Sequence, residues 1–166
     1  MLALQINSMK HFMNHLLVQD TFDLFLLEEA TLRTANTYQI DGHMNPEFFS
    51  KEELEQGISP YDFQSWSEIK GLCFHLIKGK NTPLYFKFVF QLKPEKSKAL
   101  LAKSGFDMDA MQLKAFLLNI RYDGTKTILT TGSSYHTFVL SKEPDQLWDK
   151  AFTSYLDAKS IEYTLL

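Results

Sequence analysis

The sequence predicts an α+β fold, a largely antiparallel sheet with helices packed against it. Three observations lead there. Residues 84–93 alternate apolar and polar without a break, two strand-like runs flank Asp123-Gly124, and three segments carry apolar residues at helical spacing in no regular β-α order. A regular βαβ alternation would have pointed to a parallel sheet instead.

Taken in order, Leu2 to Ile6 is a short apolar first strand. Met9, Phe12, Met13, Leu16 and Leu17 then recur at i, i+3, i+4, i+7 and i+8, one face of a helix, with Asn7 or Ser8 as its N-cap. Residues 22–41 read as two strands or one long bent strand of weakly fixed register. Ser50 and Glu53 form a capping box opening a short helix that stops at Gly57, and Pro60 starts a turn. Trp66 to Lys78 suits a helix in which Ile69, Leu72, Cys73, Leu76 and Ile77 share a face, with Ser65 or Ser67 at its start and Gly79 at its end. Leu84, Phe86, Phe88, Phe90 and Leu92 face one way on the next strand, and Tyr85, Lys87, Val89, Gln91 and Lys93 the other.

Pro94 opens a helix running to about Ser104. Phe116–Tyr122 and Lys126–Thr131 form a hairpin. A two-residue loop would set Arg121 against Lys126, so a three-residue loop with a bulge is preferred. Thr130-Thr-Gly-Ser-Ser reads as a hydroxyl-rich turn, Tyr135–Leu140 as a further strand, and Ile161–Leu165 as the last. Between these two strands, Pro144 opens a helix striped by Leu147, Trp148, Ala151, Phe152, Tyr155 and Leu156.

A chain of 166 residues fits one domain, 1–166. Its 14 phenylalanines suffice for a core without disulfide or metal, since each ring buries about 150–250 Å². Cys73 is the single cysteine and lies in an apolar run, so it reads as a buried hydrophobe and no intramolecular disulfide forms. The N-terminus lacks the pattern of a signal peptide and no run reaches membrane-spanning length, so the expectation is a cytoplasmic chain without membrane contact.

Charge is unevenly distributed. Residues 1–68 carry net −8, residues 69–103 carry eight lysines against Glu95 alone, and residues 104–166 carry net −2. Such a block marks either a polyanion site or a segment neutralised by packing beside the acidic third. Within it, Leu76-Ile-Lys-Gly-Lys-Asn-Thr-Pro places Lys78 and Lys80 at a helix C-terminus, where they complement the dipole and could also hold a phosphate with Thr82. The P-loop pattern fails, because Asn81 follows Gly79-Lys80 and Phe74 stands where the first glycine belongs.

Other chemistry is weaker still. His11 and His15 share a helix face without a third ligand, so they read as a surface pair and no metal or cofactor is expected. Asp41 and His43, with Glu28, Glu29 and Arg33 in reach by sequence, could form a carboxylate–imidazole base. Ser133, Ser134 and His136 do not match a nucleophile elbow. Tyr85, Phe86, Phe88 and Phe90 with Lys87 share their residue types with sheets that stack bases, but the RNP pattern is missing and three phenylalanines on one face read as core.

Ile40-Asp-Gly-His, Trp66-Ser-Glu-Ile, Leu76-Ile-Lys-Gly-Lys-Asn-Thr-Pro, Leu118-Asn-Ile-Arg-Tyr, Thr130-Thr-Gly-Ser-Ser and Trp148-Asp together resemble an uncharacterised family of short bacterial proteins, a domain of unknown function. The resemblance runs from about residue 22 to the C-terminus. It implies a bacterial, intracellular single domain and carries no activity or catalytic residues.

The functional expectation is therefore a non-enzymatic binding or adaptor domain. Its anionic partner, such as nucleic acid, would meet Lys78, Lys80, Thr82, Lys87 and the Ser133–Ser134 loop. The alternatives are a small-molecule enzyme using Asp41 and His43, or a protein–protein module presenting Tyr61, Phe63 and Trp66.

Overall fold

The computed structural model describes residues 1–57 and 61–166. In chain order the elements are β1 (Ala3–Ile6), α1 (Met9–Leu17), β2 (Phe25–Arg33), β3 (Thr37–Asp41), α2 (Lys51–Glu55), β4 (Gln64–Ser65), α3 (Trp66–Ile77), β5 (Tyr85–Leu92), α4 (Pro94–Ala102), β6 (Leu113–Tyr122), β7 (Thr127–Tyr135), α5 (Glu143–Ala158) and β8 (Tyr163–Leu165), with a 3-10 turn at Pro46–Phe48. All the strand pairs are antiparallel. The sheet order is β3-β2-β5-β6-β7-β1-β8, and β4 adds to β2 beyond the end of β3. The α+β class is as the sequence predicts.

Register follows from one buried face. Leu27, Ala30 and Leu32 of β2 stand opposite Phe90, Phe88 and Phe86 of β5. Those three in turn face Leu118, Ile120 and Tyr122 of β6. A slip of one residue would turn this whole set to water. The four larger helices bury their apolar stripes on the same face. From α3, Trp66 is fully buried with its ring 5.2 Å from Phe88 and 4.9 Å from Phe90, and its indole N–H donates to the Leu16 carbonyl of α1 at 2.8 Å. From α5, Trp148 stacks on Phe116 at 5.5 Å and donates to the Leu117 carbonyl at 3.0 Å. Phe12 of α1 and Leu101 of α4 are also fully buried. The opposite sheet face, with Glu29, Thr31, Arg33, Lys87, Asn119 and Arg121, is polar and open to water.

Of the two readings of residues 22–41 the two-strand one holds: β2 and β3 are joined by a turn in which Thr34 N–H donates to the Asn36 carbonyl. Other expectations are corrected. The β6–β7 ladder ends at Tyr122 opposite Thr127, so four residues connect the strands rather than three, and Arg121 faces Ile128 rather than Lys126. Asp123 shapes that connection by accepting from the Thr125 and Lys126 N–H groups, both at 2.9 Å.

Residues 130–134 are not a turn but the second half of β7, and 136–140 form no strand. On the buried side, Thr131 Oγ1 accepts the Leu2 N–H at 2.9 Å and donates to the Asp149 carboxylate of α5. Leu72 does not join the buried stripe of α3 and is half exposed. Gly57 takes the positive φ of a helix stop, 71°, and Ser50 Oγ caps α2 by accepting from Glu53 N–H at 3.1 Å. The turn expected at Pro60 lies outside the described residues.

Truncating Trp66 removes both its ring contacts and the tie to α1. Trp66→Ala should lower the unfolding free energy by about 3–5 kcal/mol. Lys87→Ala, on the open face, should change it by under about 0.5 kcal/mol. Urea denaturation monitored by circular dichroism checks both, and equal effects would contradict the one-sided core.

Candidate functional site

A groove of about 870 Å³ lies between α1 and the C-terminal end of α3. Ser8 starts α1 as the N-cap, its Oγ accepting from His11 N–H at 3.4 Å. With Phe12, His15, Leu16 and Leu17 turned to the core, the remaining side of α1 presents Met9, Lys10, Met13 and Asn14 to the groove. The other wall is Phe74 and Ile77 of α3, which ends as Lys78 N–H donates to the Phe74 carbonyl at 2.8 Å. The segment Lys78–Pro83 then leaves toward β5.

The groove therefore has an apolar floor of Met9, Met13, Leu17, Val18, Phe74 and Ile77 under a cationic rim of Lys10, Lys78 and Lys80. No carboxylate lines it. Val18 is 56 % exposed and Phe74 40 %, so apolar surface continues to the lip. Among the described residues none of the three lysines has an ion-pair partner.

The sequence-predicted set is thus divided. Lys78, Lys80 and Thr82 come together in the groove, and Lys10 and His11 join them from α1, which sequence reading missed. The signal for Lys10 was present, since it flanks the apolar stripe beside Met13 and Leu17, but nothing in the chain order says that α1 packs beside α3. Lys87 is elsewhere, on the open sheet face, ion-paired with Glu29 at 3.3 Å. Ser133 and Ser134 are successive strand residues opposite Phe116 and Ala115, so their side chains point to opposite faces of the sheet and form no loop. The basic block is therefore not one patch. Part of it is neutralised by the acidic first third, through Lys87–Glu29 and through Lys70, which meets Asp23 at 2.7 Å.

The second arrangement is the Asp41–His43 pair. It forms, with His43 Nδ1 and Asp41 Oδ1 at 2.6 Å and His43 N–H donating to the same oxygen at 3.0 Å. These bonds hold the Asp41 carboxyl below its usual range, the backbone donor contributing most. Both side chains are well exposed, at 76 % for Asp41 and 61 % for His43, beside a depression of about 560 Å³ shared with Glu28, Glu29, Thr31 and Gln39. Such a dyad orients an imidazole, yet no hydroxyl or thiol among the described residues hydrogen-bonds it. Glu28 is engaged by the Gln91 amide at 3.0 Å. Gly42 between the two is a packing requirement, because a Cβ there would lie 1.8 Å from the Leu27 carbonyl oxygen.

The aromatic trio also separates. Trp66 is core. Phe63 packs its ring 4.5 Å from His43, and Tyr61 donates to the Glu95 carboxylate, which pushes its phenol up to about 12. Cys73 is fully buried, and burial raises its thiol to about 12, where it holds its proton and is inert.

His11 and His15 are not a surface pair. His11 is exposed at the groove, whereas His15 is buried behind it with Nδ1 at 2.6 Å from the Thr21 hydroxyl. Burial first, then the charges of His11 and Lys159, lowers the His15 pKa below its ordinary 6.5.

A family model described as "Family of unknown function (DUF5721)" matches residues 15–164. The chain belongs to that family. The match takes in β2 through the start of β8 and most of the groove. Comparison with curated proteins and with solved structures returns no significant match. Among the described residues no helix is long and apolar enough to cross a membrane.

Because the folded pKa of His15 lies below the unfolded value, the unfolded chain binds the proton more readily. Stability from this residue is complete above about pH 6.5 and declines as pH falls from there toward the folded pKa. Denaturant unfolding at stepped pH should show this loss in the wild type and not in His15→Gln. Parallel profiles for the two proteins would contradict it.

Proposed function

We propose that this domain is a non-enzymatic binding domain whose site is the α1–α3 groove, and that its partner is anionic and brings an apolar portion to the floor. One observation carries the reading: Lys10, Lys78 and Lys80 rim an apolar concavity that contains no carboxylate. Within the basic segment Lys70 and Lys87 are paired with carboxylates of the first third, whereas the three rim lysines converge on one concavity. Three cations over apolar surface favour a ligand that offers charge and hydrocarbon together, since each compensates the desolvation that the other requires. A bare phosphate chain would use the rim and leave the floor wet. A bacterial, cytoplasmic setting belongs to the same reading, supported by the family resemblance and a single buried thiol suited to a reducing compartment.

Dodecyl phosphate below its micelle concentration is a direct probe. Calorimetric titration at low salt should show binding that weakens as salt rises. Lys78→Ala with Lys80→Ala should weaken it by about tenfold, the scale of two exposed charge contacts. No binding, or binding unchanged in the double variant, would overturn the proposal. A short single-stranded oligonucleotide serves as the comparison. Nucleic acid held by three lysines should show a salt slope of about −2. If the oligonucleotide binds through these lysines while dodecyl phosphate does not, the apolar half of the proposal falls.

A further inference from the structure

A second feature fits this groove, and it belongs to the same chain. The edge strand beside β2 is interrupted. β3 pairs with residues 29–33 of β2, β4 pairs with Leu26 and Leu27, and residues 44–57 pair with neither strand. The base of this excursion is pinched. His43 bridges Phe63, Met44 N–H donates to the Asp62 carbonyl at 2.9 Å, and Gln64 N–H donates to the Gly42 carbonyl at 2.8 Å.

Beyond the base, residues 46–57 form the 3-10 turn and α2, and neither buries a residue. Both are nevertheless ordered by their own bonds, the Ser50 cap and the Phe48 and Phe49 N–H groups turned back on Asn45 and Pro46. This tip exposes Phe48 at 83 % and Leu54 at 48 %, amid Glu47, Glu52, Glu53 and Glu55 with Lys51 as its only cation. Phe48 and Leu54 thus stand exposed within one short ordered, acidic segment.

The tip is acidic with two apolar side chains, and the groove is apolar with a basic rim and no acid. Each offers what the other lacks. We infer that the 46–57 tip of one copy docks in the α1–α3 groove of a second copy. Phe48 and Leu54 meet the floor, and the glutamates meet Lys10, Lys78 and Lys80. The inference rests on the groove reading above and names its partner as a second copy of this chain. Opposite charge selects the register and the apolar pair supplies most of the affinity. Because the two surfaces differ, each contact joins one tip to one groove, and the pairs are either reciprocal or continue head to tail.

The test uses the full chain and two variants altered only at surface positions. The tip variant is Phe48→Ser with Glu52→Lys and Glu53→Lys, and the groove variant is Lys78→Glu with Lys80→Glu. Sedimentation equilibrium from low micromolar to near-millimolar chain should show the wild type associating and each variant alone weakened by about tenfold or more. An equimolar mixture should recover mixed pairs, because the tip variant keeps an intact groove and the groove variant an intact tip. Matching melting profiles confirm that both variants are folded, and Phe48→Ser alone or Lys78→Ala with Lys80→Ala replaces either one that is not.

A wild type that stays monomeric throughout, or associates equally well in both variants, would overturn the inference. So would a mixture that fails to recover pairs. Dodecyl phosphate separates this failure from that of the groove. If it still shifts the amide resonances of residues 9–14 and 78–82 in a monomeric chain, the groove reading stands and self-docking falls. If it does not, both fall.

Discussion

The structure depends on the packing of Trp66 against the phenylalanine face of β5. That indole touches Phe88 and Phe90 and bonds to the backbone of α1, so one side chain joins the sheet, α3 and α1. It sits where the chain enters α3 directly from β4, with no loop to absorb error. The constraint is one-sided burial: apolar side chains of β2, β5, β6 and β1 all face the same way, and the helices that cover them must share that face. They do so in two pairs, α1 with α3 and α4 with α5. Two cylinders laid side by side on a twisted sheet leave a furrow wherever their ends diverge, and the α1–α3 groove is such a furrow.

What distinguishes the groove is its electrostatics. Two lysines of the basic segment meet carboxylates of the acidic first third. Lys87 lies beside Glu29 on the open sheet face and Lys70 against Asp23 behind α3. At the end of α3 this ceases. Lys78 and Lys80 follow the helix C-terminus, where the dipole favours cations, and Lys10 faces them from α1 with no acid between. The dipole accounts for lysines in this segment. It does not account for the apolar lip formed by Val18 and Phe74, which costs hydration free energy unless something covers it.

Much of the fold was legible in the sequence. The alternation of β5, the stripes of α1 and α5, the Ser50 cap and the class itself follow from periodicity and capping, which are local properties. The misreadings share a cause. Thr130-Thr-Gly-Ser-Ser has the composition of a turn and becomes strand because β6 supplies the ladder and α5 supplies Asp149 to a hydroxyl, partners distant in sequence. His15 reads as surface and is buried because Thr21, six residues on, folds back to meet its ring. The candidate site shows the same limit. Lys78, Lys80 and Thr82 are neighbours in the chain and were identified together. Lys10 enters only through helix packing, and Lys87 and the two serines leave the set through strand parity and sheet order.

The claim at the centre of this account is that positive potential concentrates at one groove and not across the lysine-rich segment. Paired solvent relaxation probes, one anionic and one neutral, read local potential at each amide directly. The account predicts that the ratio of anionic to neutral relaxation enhancement peaks at residues 9–14 and 78–82 and is near unity around Lys70 and Lys87. A ratio that is uniform over the surface, or that peaks along β5, would contradict it.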